Sequence, residues 1–143
     1  MPELPYELTD DLRLKLLALG WSDDRRVDLD HVVKKVQAVG WHLFPVAEAF
    51  VSVFDGLGTW AGYIFDLEDA GTNWPFSEFY QFVRPDVSER IFPVGEYNGW
   101  SPLFISESGR LLEFVGKDMH WLGDTPQQSF EALIDRMSRE CGN

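Results

Sequence analysis

The sequence has one cysteine, Cys141, no apolar run beyond a handful of residues, and half as many basic side chains as acidic ones. A lone cysteine excludes an internal disulfide framework and fits a reducing compartment. No stretch approaches the roughly 20 apolar residues that a membrane-spanning helix needs. The opening MPELPYELTDD is acidic and polar, where a secretory leader would carry a basic segment and then an apolar one. The expectation is a cytoplasmic chain that does not enter a membrane. With 143 residues and a formal net charge of −12, the chain repels phosphates, which argues against nucleic acid and anionic lipid as partners. The same self-repulsion favours a monomer.

Basic residues are scarcest between Lys35 and Arg84, where there are none. That stretch holds Glu48, Asp55, Asp66, Glu68, Asp69 and Glu78, together with 12 of the chain's 21 aromatic residues. Acids interleaved with aromatics suit either a packed core under solvated loops or a surface that meets a basic protein.

Chemistry-bearing motifs are few. Gly56 to Gly62 reads GLGTWAG with no Lys-Ser or Lys-Thr after it, so it makes no phosphate cradle. His31, His42 and His120 are too far apart to form ligand spacing, His120 reads as a solvent-exposed loop histidine, and no metal or cofactor is expected. No G-x-S-x-G elbow is present, and Cys141 sits at a fraying end with no base beside it. No catalytic residue is assigned.

Periodicity gives the architecture. Thr9 caps a helix carrying Leu12, Leu16 and Leu19 on one face, and Gly20 stops it. Trp21 is expected to fold back over that helix. A second helix starts near Asp28 or Asp30 and runs to Gly40, and a third runs from Pro45 to Asp55-Gly56. Trp60 to Leu67 and Glu78 to Val83 have the aromatic, β-branched character of strands. Pro93-Val94-Gly95 suits the start of a strand, and Pro102–Ser106 with Arg110–Val115 reads as a hairpin about Glu107-Ser108-Gly109. Thr125 and Pro126 open a last helix with Phe130, Leu133, Ile134 and Met137 on its apolar face. Helices, an antiparallel or mixed meander and a closing helix predict an α+β fold, with residues 1–143 forming one domain.

Four segments, LLALGWSDDRRVDLDHVV, FPVAEAFVSVFDGLG, FPVGEYNGWSPLFISESGRLLEF and LGDTPQQSFEALI, occur in that order. Together, over about residues 8 to 137, the chain resembles the SUKH superfamily of bacterial immunity proteins, and most closely its third subgroup. The resemblance implies an α+β fold and a non-enzymatic role in contact-dependent competition: binding a cognate polymorphic toxin domain, here a basic nuclease, and covering its active or substrate-binding surface. The segment from Asp66 to Phe82 departs from the family pattern and is a natural place for this member's own recognition surface. The candidate contacts are Asp66, Glu68 and Asp69 on one predicted turn, Trp74, Glu78, and Glu96, Tyr97 and Trp100 in a predicted loop. A second reading, from another class, is a small carbohydrate-binding or acid hydrolase domain. Its cleft would be lined by Trp60, Tyr63 and Trp74, with Asp66 or Glu78 as the working carboxylate.

Overall fold

A computed structural model describes residues 4–58, 62–74, 89–116 and 118–141. Among them are five helices and a five-stranded antiparallel sheet, the α+β class expected from the periodicity. Helix α1 (Asp10–Ala18) begins where Thr9 Oγ1 accepts the Leu12 amide at 3.3 Å, and Asp10 and Asp11 sit in its positive first turn. Helix α2 spans Asp30–Ala38, and α3 spans Pro45–Phe54 with proline at its first turn. Six of the ten residues of α3 are buried, among them Phe50 and Phe54, so it lies against the centre of the molecule. Trp21 is buried at the end of α1, with its amide bonded to the Leu16 carbonyl at 3.0 Å and Arg13 across its ring.

After α3 the chain makes a two-residue strand, β1 (Tyr63–Ile64), and then a short helix, α4 (Leu67–Asn73). Strands β2 (Ile91–Tyr97), β3 (Ser101–Ser106), β4 (Leu111–Val115) and β5 (Asp118–Trp121) follow, and the sheet order is β1-β2-β3-β4-β5. The hairpin about Glu107-Ser108-Gly109 stands as expected. The last helix, α5 (Pro126–Cys141), is capped by Thr125 Oγ1, which accepts the Gln128 amide at 3.1 Å.

Three expectations are corrected. Of Trp60–Leu67, the described residues 62–67 yield only β1, because Asp66 turns the chain into α4 instead of extending the strand. Pro93-Val94-Gly95 lies inside β2, where the pairing with β3 shifts register, so it is a bulge and not the start of a strand. The β5 strand, which carries His120, was expected to be loop. Glu78–Val83 and Trp60 lie outside the described residues.

Register decides which side chains share a face. Tyr63, Tyr97 and Ser101 are cross-strand neighbours, as are Leu103, Glu113 and His120, so these six face one way. Ile64, Glu96, Pro102, Phe104, Leu112 and Trp121 face the other. Helix α5 covers the first face, where Arg136 reaches Tyr63. The Trp41 ring lies 5.6 Å from that of Phe104 on the second face, and α4 packs beside it against β2. Both sides of the sheet are therefore covered.

The β1–β2 contact is very close. A methyl group on Gly95 would lie 2.2 Å from the Ile64 carbonyl oxygen and 3.0 Å from Phe65 Cα, both backbone atoms that cannot rotate away. Gly95→Ala is expected to destabilise the chain by about 3 kcal/mol, measured as a lower urea midpoint with unchanged slope. A loss under about 0.5 kcal/mol would mean that β1 is free to move.

Candidate functional site

Helix α4 has a sequence, LEDAGTN, with few helix-favouring residues and no apolar period. Side chains around its first turn hold it in place. Asp66 is its N-cap and accepts the Asp69 amide at 3.0 Å, while Asp55 Oδ1 accepts the Leu67 amide at 2.8 Å. At its other end, Asn73 donates to Asp69 Oδ1 at 3.0 Å. Gly71 lies against Val36 of α2, where there is no room for a larger side chain.

This arrangement brings together carboxyl groups that are far apart in sequence. Glu96, near the end of β2, points from the covered face toward α4 and is 1% exposed. No N–H or hydroxyl donor reaches either of its carboxyl oxygens, and the one hydrogen bond it makes is with the Asp69 carboxyl. Burial is the main cause that pushes its carboxyl up to about 8, helped by Asp69 beside it and Asp66 a little further off. Asp55, also largely buried, is pushed up to about 6 by burial and by Asp66 and Glu68, against the pull of the Leu67 amide and Arg25. The Arg25 guanidinium is held by main-chain carbonyls, donating to Val53 at 2.7 Å and to Asp55 at 2.5 Å.

The candidate residues separate into groups. Asp66, Asp69 and Glu96 converge, which corrects both the predicted turn and the predicted loop. Asp66 and Asp69 open a helix, and Glu96 is a buried strand residue rather than part of a loop. Glu68 turns away to Lys35 at 3.0 Å, an exposed pair that contributes little. Trp74 is half-buried as an anchor: its carbonyl accepts the Trp41 indole N–H at 2.9 Å. Tyr97 stands on the opposite face from Glu96, its ring 4.5 Å from that of Tyr63. Trp100 is 82% exposed at the tip of the β2–β3 hairpin, where Asn98 and Gly99 both take positive φ. Glu78 lies outside the described residues.

The sequence reading missed a second polar group on the Tyr97 face. Tyr63 Oη donates to Glu113 Oε1 at 3.3 Å and accepts from Arg136 at the same distance, and Arg136 lies 3.9 Å from Glu113. The tyrosine backbone amide is bonded to Glu140 at 3.1 Å, and His120 stands opposite Glu113 across β4 and β5. Burial raises the carboxyl of Glu113, while Tyr63, Arg136 and His120 pull it down. The signal was present in LLEFV, since alternation places Glu113 on the same side as the core residue Leu111. Tyr63 thus stands with Glu113 on one face of the sheet and Asp66 with Glu96 on the other. Among the described residues, they line no common cleft of the kind that the hydrolase reading requires.

A groove of about 410 Å³ between α1 and α5 gathers Asp11, Lys15, Glu131 and Asp135. Its one cation, Lys15, is already shared by Asp11 at 2.9 Å and Asp135 at 3.3 Å. No group of three or more His, Cys, Asp or Glu side chains among the described residues is arranged to hold a metal ion. No helix among them is long and apolar enough to cross a membrane. Comparison of the chain with protein-family models, curated proteins and solved structures finds no match.

Proposed function

We propose that this chain is an immunity protein of the SUKH kind, acting in the cytoplasm as a monomer without catalysis. It neutralises a basic toxin domain, a nuclease of a polymorphic toxin system, by covering the surface with which that enzyme holds its substrate. The observation that carries this reading is the carboxyl-rich edge at α4. Asp55, Asp66, Asp69 and Glu96 crowd there, and four residues beyond Glu96 the Trp100 side chain projects almost wholly into solvent. A protein keeps like charges together at a cost to its own fold, and the usual return is a partner that compensates them. An exposed tryptophan at a hairpin tip supplies the apolar anchor that interface centres favour.

This reading predicts a toxin domain encoded next to this gene, and two properties follow for the interaction with it. Association is fast at low salt and slows steeply as ionic strength rises. Trp100→Ala weakens the complex by roughly 30-fold or more, the cost of removing a central aromatic anchor. Surface-binding kinetics at two salt concentrations check both. An on-rate that ignores salt, or a Trp100→Ala variant that binds as wild type does, would contradict this placement of the interface.

A further inference from the structure

Glu96 presents a chemical problem that its own chain leaves unsolved. Its carboxyl is 1% exposed, no N–H or hydroxyl donor reaches either oxygen, and its one hydrogen bond is a proton shared with the like-charged Asp69. The ionisable groups that press on it are Asp69 and Asp66, both acidic. Its strand neighbours, Ile64 on β1 and Pro102 on β3, carry no charge and no side-chain donor. A buried carboxylate among carboxylates is costly, and native structures normally place a cation or several N–H groups beside it.

The surrounding acceptors define what would fit. Asp66 and Asp69 each use Oδ1 within α4, on the Asp69 amide and on Asn73. Their second oxygens, with both oxygens of Glu96, make four carboxyl oxygens that no N–H group of the described structure reaches, with only the proton on Glu96 to share among them. Asp66 and Asp69 are only partly buried, so the cluster is open to solvent on their side while Glu96 forms its floor. The arrangement does not suit a metal ion. A planar guanidinium carries five N–H donors in a fixed fork and loses less hydration than an ammonium on entering such a place.

We propose that Glu96, Asp66 and Asp69 form a receptor for one arginine side chain of a basic partner protein, with Glu96 as its buried floor. The inference rests on the functional reading above for the partner's identity, but its chemistry can be tested without that partner. Burial keeps Glu96 protonated near neutrality in the free protein, and the guanidinium converts it to the carboxylate. Binding therefore releases a proton into solution. Affinity rises with pH up to about 8, where the free protein loses that proton by itself.

The test has two arms. In the first, the wild-type chain is titrated with arginine methyl ester, and with lysine methyl ester at matched ionic strength, while the side-chain carboxyl carbon of Glu96 is followed by NMR. A saturable shift with the arginine ester in the millimolar range, stronger than with the lysine ester and lost in Asp69→Asn, is expected. No saturable shift overturns the receptor. In the second arm, the basic toxin domain that the functional reading predicts beside this gene is titrated calorimetrically in buffers of different ionisation enthalpy. Wild type is expected to release up to one proton per complex, and Glu96→Gln, which is isosteric and neutral, to release none and bind roughly 30-fold more weakly or worse. Equal binding by wild type and Glu96→Gln overturns the inference and leaves the proposed function standing. If the toxin-like domain does not bind at all, the proposed function fails, and the ester arm alone decides whether the receptor exists.

Discussion

At about pH 8.5 the Glu96→Gln variant is expected to melt roughly 10 °C above the unsubstituted chain, and at about pH 4.5 the two melt together. Folding moves the Glu96 carboxyl from its ordinary 4.5 to about 8. Below about pH 4.5 both folded and unfolded chains hold the proton, and the group adds nothing to the pH dependence. Between 4.5 and about 8 the unfolded chain has released the proton while the folded chain still holds it, so stability falls as pH rises. Above about 8 both states are ionised, and the whole penalty remains as the cost of a buried carboxylate facing Asp66 and Asp69. Glutamine has the same shape without the charge, which recovers on the order of 3 kcal/mol at high pH. Asp55, raised to about 6, loses stability in the same direction over a lower window. The native chain should therefore be most stable under mildly acidic conditions. Thermal melts of both proteins from acid to mild alkali check this, and a variant less stable than wild type at about pH 8.5 would contradict the assignment. A substitution that stabilises the fold while weakening partner binding marks a residue kept for function.

The largest purely structural effect is expected at Phe50. Its ring lies edge-on to Tyr6, Phe54, Phe65 and Phe130, with centroids 6.2, 5.0, 5.1 and 6.4 Å away. Those partners come from the N-terminal segment, α3, the residue after β1, and α5, so one side chain joins four parts of the fold. Tyr6 is also stacked on Phe130 at 4.1 Å, and its hydroxyl donates to the Gly109 carbonyl at 2.7 Å, tying the N-terminal segment to the β3–β4 turn. Phe50→Ala removes the centre of this cluster and leaves a cavity bounded by rigid rings. The expected loss is about 4 kcal/mol, a large part of the total stability of a chain this size. Urea unfolding should show a much lower midpoint. A loss below about 1 kcal/mol would mean that the aromatic cluster is not the core that holds the two ends of the chain together.

The parts of the fold that local chemistry decides could be read from the sequence. Thr9, Gly20, Pro45, Thr125 and Pro126 mark helix ends through interactions confined to a few residues, and the helices begin and end close to them. The β3–β4 hairpin is equally local. Helix α4 was not legible because its stability comes from elsewhere: Asp55 caps it from the end of α3, and Gly71 fits it against Val36. Nor did alternation mark β2, since Ile91 to Glu96 are all buried, with both faces of the sheet covered and a bulge interrupting the period. Asp66 and Asp69 were expected together and are together. Charge alone argued that Glu96 would be exposed, because ionised side chains are seldom buried without a partner. Glu96 escapes that rule because burial and Asp69 keep it protonated, a state that counting charges along the sequence does not show.

The central claim, that the chain neutralises a toxin by stoichiometric binding, is tested most directly by titrating it into an activity assay of the cognate toxin domain that this reading predicts beside its gene. The account predicts that activity falls in a straight line to zero at one chain per toxin, with high salt slowing the approach. Toxin activity that persists through an excess of the chain, or that is lost only after incubation times consistent with turnover, would contradict it.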